Sequence, residues 1–386
     1  MTPPADASDG QNPEAITEHT APMVTNVSRK PAHARIPSLD GLRAISIGLV
    51  LWAHLGGTHG FGTSRALAMI DWATLGVRTF FVLSGFLITG ILLTELSHTG
   101  TINLRRFYYR RTMRIFPAYY ALIAAVAVAG RLGYLHLARG DVLAATSYTM
   151  NYHSVRGWSL GHTWSLAVEE QFYLLWPATL YLWGARRGLG VALAFVIIAP
   201  LIRIALLAMP GGATIGFSFE TVADAIAVGC LLAGLRDQLW TYSAYRALVQ
   251  SWRFILVPIA IGAALAVPQL EADRALGLDR VWVGIYNLVG ITVINVGLAL
   301  CIDAAIRNHT GPVGRILNAR PIMALGVMSY SIYLWQQPFL NRNVDRSATR
   351  FPLNLVLTLV CAALSYYLVE RVTLRFRDST ARTSRT

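Results

Sequence analysis

The chain has 386 residues, of which 54% are hydrophobic and only 14% charged, and its mean hydropathy is +0.47. This composition is too apolar for a soluble protein of such length, so an integral membrane protein is expected. The formal net charge is +13, because 32 arginines and one lysine outnumber 20 acidic residues. These charges lie between apolar stretches and form no single basic face, which argues against a nucleic-acid partner.

Residues 1–34 are rich in Pro, Ala, Thr, Ser and Asp and show no apolar period, which predicts a disordered N-terminal tail. We expect residues 35–372 to form one transmembrane domain and residues 373–386 a basic C-terminal tail. The three cysteines all lie in apolar stretches, and their spacing predicts neither a disulfide framework nor a metal site.

A hydrocarbon core of about 30 Å requires about 20 largely apolar helical residues. By this criterion the fold class is all-α, an integral membrane bundle of about ten transmembrane helices. Counted over alternate loops, 21 of the 33 basic residues fall on one side, 9 on the other and three within spans, which predicts that both termini are cytoplasmic. The apolar stretch 141–151 is too short to span. The predicted spans are 39–57, 75–94, 116–133, 163–183, 189–209, 220–236, 253–269, 281–302, 322–340 and 352–370.

The first predicted span, within RIPSLDGLRAISIGLVLWAHL, contains two ionisable residues, Arg43 and His54. On a helix they share one face about 16 Å apart along the axis. An ionisable side chain in a bilayer costs at least about 2.5 kcal/mol, so a functional role is the first hypothesis. The alternative is that Arg43 extends to the headgroups, paired with Asp40, and that His54 is a polar residue near the opposite surface.

The third predicted span begins with the basic segment LRRFYYRRTMRIFP, which includes Arg110, Arg111 and Arg114. Arg111 and Arg114 are three residues apart and project from one helix face, and planar guanidinium groups suit phosphate oxygens. Alternatively, the cluster only binds anionic lipid.

The segment GHTWSLAVEEQFYLLWP places Glu169 and Glu170 inside the fourth predicted span. We expect one of these carboxylates to orient His54 or to relay protons. The alternative is a buried pairing with intramembrane arginines, such as Arg78 or Arg203.

Two further segments have open interpretations. In FFVLSGFLITG, Ser84 and the glycine after it are typical of close helix packing. The loop YTMNYHSVRGWSLGHT contains aromatic and hydrogen-bonding side chains that suit sugar rings, but it is equally typical of an interfacial aromatic belt.

Five motifs in this order resemble the acyltransferase 3 family of polytopic membrane acyltransferases. They are the arginine and histidine separated by ten residues, FFVLSG, the paired arginines before the third span, WSLAVEEQFYLLWP and SYSIYLW, and the resemblance covers residues 36–370. It implies a multi-pass protein of the inner (plasma) membrane. The implied activity is transfer of an acyl group, usually acetyl, from cytoplasmic acyl-CoA to a hydroxyl of a saccharide, cell-envelope glycan or secondary metabolite, without a metal.

The resemblance also implies roles for individual residues. His54 would be catalytic, as a general base or through a transient acyl-histidine, and the last motif departs from many relatives because Gln336 replaces a histidine. The resemblance implies a site with catalytic His54, Arg43, Glu169 and Glu170 and donor-binding Arg111 and Arg114. From the residues themselves, we add Arg110 and Ser84 as candidate donor-binding residues and Trp158, His162 and Trp164 as candidate acceptor-binding residues.

Other classes of protein remain possible from the residues. A secondary transporter would also bury His, Arg and Glu residues, but its two halves should be similar, and no such repeat is visible. A polytopic glycan ligase or polymerase would be expected to carry larger loops outside the membrane. A non-catalytic scaffold has no use for buried ionisable groups.

Overall fold

The computed structural model describes residues 36–62, 70–209, 215–266 and 279–383, and the regular structure among them is helical. The predicted tail 1–34 lies outside this part of the chain. The helices are α1 Leu39–Leu55, α2 Trp72–Thr99, α3 Leu104–Arg131, α4 Asp141–Thr146, α5 Trp158–Gly161, α6 Thr163–Leu207, α7 Phe219–Leu239, α8 Ser243–Gln250, α9 Leu256–Ala266, α10 Asp279–Ile285, α11 Ile291–Arg307, α12 Pro312–Leu317, α13 Arg320–Phe339, α14 Leu353–Ser365 and α15 Arg371–Thr383. Two π-helical segments join α10 to α11 and α14 to α15, at Tyr286–Gly290 and Tyr366–Glu370.

The all-helical class is confirmed for the described residues, and each predicted span falls on a helix. The end of the segment 253–269 beyond residue 266 is not described. Among the described residues, five helices are long and apolar enough to cross a membrane: Trp72–Thr99, Leu104–Arg131, Trp158–Leu207, Val281–Arg307 and Leu353–Arg377. The predicted spans on α1, α7, α9 and α13 fall outside this set, because α1 has 17 residues, α9 has 11, and α7 and α13 carry charged or amide side chains. The count of ten spans stays a prediction.

The long helix α6 is two helices joined at Gly184, whose backbone has φ 71° and ψ 177°. A positive φ is accessible to glycine at little cost, which explains the residue at this break. A Cβ built on Gly188 would lie 3.9 Å from the Cα of Leu180. Residues eight apart in a straight helix are about 12 Å apart, so the chain reverses here. The two arms correspond to the predicted spans 163–183 and 189–209.

Helix α1 packs between α2 and α13 through small residues. A Cβ on Gly76 of α2 would overlap the carbonyl oxygen of Ser46, and one on Gly326 of α13 would overlap the carbonyl of Asp40. Close approach of backbones at glycine is the usual packing of membrane helices. It places α1, with Arg43 and His54, inside the bundle.

The contact between α2 and α7 has the same character. A Cβ on Gly85 would overlap the carbonyl oxygen of Ile226, and one on Gly229 would overlap that of Val82. The predicted packing role of the Ser84–Gly85 segment is thus consistent with the structure at Gly85.

We expect Gly85→Ala to destabilise the protein by about 1–3 kcal/mol, because the added methyl forces α2 and α7 apart. Unfolding in detergent micelles, followed by circular dichroism, measures this. Gly90→Ala is the matched control, since Gly90 lies on the same helix and no atom would come within 4 Å of its Cβ. Equal stability of the two variants would contradict the tight contact.

Two arginines predicted within spans, Arg78 and Arg203, share one carboxylate. Arg203 Nη1 donates to Asp224 Oδ2 at 2.9 Å, and Arg78 Nη1 lies 3.8 Å from Asp224 Oδ1 and donates to Asn295 Oδ1 at 3.1 Å. All four side chains are buried. Arg78 and Arg203 therefore meet an acid of α7 and not the glutamates of α6. The buried pairing considered for those glutamates is found with a different arginine, Arg111.

Candidate active site

His54 lies in the last turn of α1 and is half-buried. Its Nδ1 atom is 2.7 Å from Gln336 Oε1 of α13. An amide oxygen can only accept, so Nδ1 carries the hydrogen and donates it. Nε2 then holds a lone pair, and no described residue bonds to it. An imidazole in this tautomer can take a proton from a hydroxyl group.

The Gln336 side chain is fully buried, and its amide nitrogen has no hydrogen-bond partner among the described residues. A buried donor without a partner costs about 1–3 kcal/mol. Among the described residues, Gln336 therefore makes its side-chain hydrogen bond through its oxygen, to His54.

The Trp158 ring packs against the imidazole of His54. The ring centroids of Trp158 and His54 are 5.6 Å apart at an interplanar angle of 75°, an edge-to-face contact. The indole Nε1 donates to the backbone carbonyl of Gln337 at 3.0 Å, which fixes the ring.

The segment that carries Trp158 is held by the buried carboxylate of Asp141. Its Oδ2 accepts hydrogen bonds from the backbone N–H groups of Ala138, at 2.7 Å, and Gly157, at 3.2 Å. A Cβ on Gly157 would overlap this carboxylate, so only glycine fits at that position. Asp141 thus places Trp158 next to His54.

The other two predicted acceptor-binding residues are engaged with the protein. The ring nitrogens of buried His162 lie 3.1 Å from Gln337 Oε1 and 3.0 Å from the Leu334 carbonyl. Trp164 packs edge-on against two phenylalanine rings. Of the three residues, Trp158 borders His54.

Arg111 of α3 is the centre of a second polar cluster. Its Nε is 3.4 Å from Glu170 Oε1 and its Nη2 is 3.9 Å from Glu169 Oε2, while its Cζ lies 3.6 Å above the Tyr173 ring. Ser84 Oγ donates to Glu169 Oε1 at 2.8 Å. The three charged side chains are only 13–18% exposed. Arg111 therefore supplies one positive charge between two carboxylates within the protein.

Arg43 belongs to the same end of the bundle. Its Nη1 donates to Asp40 Oδ1 at 2.9 Å, so the pairing considered for these two residues is confirmed. Its charge also acts on Glu169 and Arg114. The chain thus brings together arginines and acids from α1, α3 and α6, about 16 Å along α1 from His54.

The glutamates lie nearer to Arg43 than to His54, contrary to expectation. His162, whose charge interacts with that of His54, precedes α6, and Glu169 follows it by seven residues, or about 10 Å of helix. The expected hydrogen bond from His54 to Glu169 or Glu170 is not among the contacts of the described residues. Gln336 takes that place.

The predicted donor-binding arginines differ in their surroundings. Arg114 is exposed, and no carboxylate of a described residue lies within 4.0 Å of it. Its charge acts on Glu370, a buried acid that accepts from Ser331 Oγ at 3.0 Å. Arg110 is half-buried and has its own protein contacts. Arg114 remains accessible to a phosphate.

Sequence reasoning missed three functional neighbours. Gln336 was noted only as a departure from relatives, and no role was assigned to Asp141. Glu370 could have been identified as a candidate from the sequence, because it is an acid at the end of the last predicted span.

Gln336→Leu is expected to lower kcat of the reaction proposed below by about a hundredfold, because the imidazole loses the group that fixes its tautomer and position. Gln336→His offers a ring nitrogen that can accept the same hydrogen bond, and it should retain more of the activity. Initial rates with both variants reconstituted at equal protein level test this. Full activity of the leucine variant would remove the role of Gln336.

The fold and site define a helical membrane protein with a half-buried imidazole held by an amide oxygen at one end and an arginine–carboxylate cluster at the other. Among the described residues, no three His, Cys, Asp or Glu side chains are placed to hold a metal ion. Residues 36–370 match the family model described as an acyltransferase domain. The chain belongs to the acyltransferase 3 family.

Two bacterial relatives show how far the similarity extends. The chain is 28% identical over 379 residues to the peptidoglycan O-acetyltransferase OatA of Listeria monocytogenes, covering 90% of this chain and 56% of the relative. It is 28% identical over 360 residues to the O-acetyltransferase OatA of Staphylococcus aureus, covering 87% and 56%. The chain thus spans little more than half the length of these relatives. No solved structure matches it.

Proposed function

We propose that this protein is a membrane-bound O-acyltransferase that moves an acetyl group from cytoplasmic acetyl-CoA to a hydroxyl of a cell-envelope glycan. The observation that carries the proposal is the hydrogen bond from His54 Nδ1 to Gln336 Oε1, which leaves Nε2 as a base. The peptidoglycan O-acetyltransferase activity in the name of the Listeria relative supports the glycan as acceptor.

The donor would bind at the arginine–carboxylate cluster. The phosphates of CoA are anionic and cannot enter hydrocarbon, so they would rest on exposed Arg114. Arg43 and Arg111, both tied to carboxylates, would hold the neighbouring helices in place. The long pantetheine arm would carry the thioester along α1 toward His54.

In the transfer step, the acceptor hydroxyl oxygen attacks the thioester carbonyl carbon while His54 Nε2 takes the hydroxyl proton. The new C–O bond forms, the C–S bond breaks, and the proton passes from His54 to the departing thiolate. The products are the O-acetyl ester and free CoA, so no other reactant is needed.

This arrangement requires the two ends of α1 to face different sides of the membrane. The predicted ten spans, the cytoplasmic termini and a location in the inner membrane fit that requirement. The excess of arginine between alternate spans supports the orientation.

The test uses the full chain in liposomes, [¹⁴C]acetyl-CoA and isolated peptidoglycan glycan strands. We expect label in the glycan as an alkali-labile ester. Absence of label with well-folded protein, together with no change of thermal stability on adding acetyl-CoA, would overturn the proposal.

A further inference from the structure

A cationic side chain lies next to the proposed catalytic base. Arg342 follows α13, and its Cζ is 5.0 Å from the ring centroid of Trp158, within the range of a cation–π contact. Trp158 in turn packs against His54. These three side chains form one continuous surface at the end of α1.

Arg342 differs from the other arginines of its loop. Arg350 donates to both oxygens of Asp345, at 2.7 and 2.8 Å, and these hydrogen bonds lower the pKa of that carboxyl. Arg346 donates to the Tyr134 carbonyl at 2.8 Å. Arg342 is exposed, and among the described residues no carboxylate lies within 4.0 Å of it.

The charge of Arg342 lies where it makes protonation of His54 less favourable. The positive charge of Arg342 acts on His54 and opposes the second positive charge that forms when the imidazole takes a proton. Asp71 acts in the opposite sense, but its two oxygens already accept from the backbone N–H and hydroxyl of Thr74, at 2.9 and 2.6 Å. The charge of buried His162, when protonated, would also interact with that of His54. An anion bound to Arg342 would offset the repulsion between Arg342 and protonated His54.

We propose that the acceptor is an anionic saccharide, whose carboxylate or phosphate binds Arg342 while a sugar ring lies along Trp158 and a hydroxyl faces His54 Nε2. This inference rests on the proposed function and adds the charge of its acceptor. A guanidinium recognises either anion through charge-assisted hydrogen bonds. The acceptor thereby brings the negative charge that stabilises the protonated base.

The first measurement is binding, by equilibrium dialysis, of three tetrasaccharides to the full chain in nanodiscs. They are the neutral tetramer of N-acetylglucosamine, a tetramer alternating N-acetylglucosamine with glucuronate, and the neutral tetramer bearing one phosphate monoester. At least one anionic probe should bind about tenfold more tightly than the neutral one. Which of them does so identifies the anion.

Arg342→Gln should abolish this preference, and Arg342→Lys should keep part of it. Arg350→Gln is the matched control, because that arginine is already paired. Equal binding of neutral and anionic probes by the unaltered protein would overturn the inference, and so would a preference that survives in Arg342→Gln.

A transfer assay with the same probes and labelled acetyl-CoA separates this inference from the proposed function. A KM that rises in Arg342→Gln for the anionic acceptor and not for the neutral one, with label transferred to both, supports both. If binding depends on Arg342 but no acetyl group is transferred, the proposed function is wrong and the anionic ligand of Arg342 still stands.

Discussion

His54→Ala should reduce acetyl transfer by about 10²- to 10⁴-fold, the range that a positioned general base contributes. The physical reason is that a neutral hydroxyl is a poor nucleophile for a thioester until its proton is taken. Gln336 orients the imidazole of His54 for that purpose. The measurement is the initial rate of label transfer from acetyl-CoA to glycan.

His54→Gln keeps a polar side chain at the site and guards against a variant that fails to fold. His59→Ala is the control, since His59 is exposed on the loop that follows α1 and lies 4.0 Å from exposed Asp345. A normal rate in either His54 variant, with a normal amount of protein in the membrane, would exclude His54 as the base.

Arg111→Leu is expected to destabilise the protein by about 3–5 kcal/mol, because the change leaves the carboxylates of Glu169 and Glu170 buried without a counter-charge. It also removes the guanidinium that packs 3.6 Å from the Tyr173 ring. Unfolding of the purified protein in detergent, with the midpoint and slope compared to the unaltered chain, measures the loss.

A charge-neutral triple variant provides the decisive comparison. Combining Arg111→Leu with Glu169→Gln and Glu170→Gln should recover much of the lost stability, because no uncompensated charge remains. Arg106→Leu, on the exposed first turn of the same helix, should change the free energy of unfolding by less than about 0.5 kcal/mol. If the triple variant is no more stable than Arg111→Leu, the cost arises from lost packing instead of charge.

Local sequence patterns identified the helices because apolar periodicity is a local property. The predicted spans 163–183 and 189–209 left a break between them, and the structure attributes it to the backbone of Gly184. The helical repeat also put Arg43 and His54 on one face of α1, and the structure places both among protein contacts.

Local sequence patterns could not identify the hydrogen-bond and ion-pair partners of the polar side chains. The depth of the α6 glutamates was estimated along a single helix, and that estimate placed them beside His54. In the structure they meet Arg111 of α3, because the alignment of α6 against α1 and α3 is set by packing among helices. The role of Gln336 depends likewise on a hydrogen bond to a residue 282 positions away.

The sequence by itself determined that the chain is helical and apolar, that ionisable residues interrupt its spans, and that its motifs are those of a membrane acyltransferase. Only the tertiary structure decided which groups meet. It gave His54 an amide partner in place of a carboxylate, divided the arginine pair into a neutralised Arg111 and an accessible Arg114, and set Arg342 beside Trp158. The reason is that charges and hydrogen bonds act across a few ångströms of space, whereas a sequence pattern records only separation along the chain.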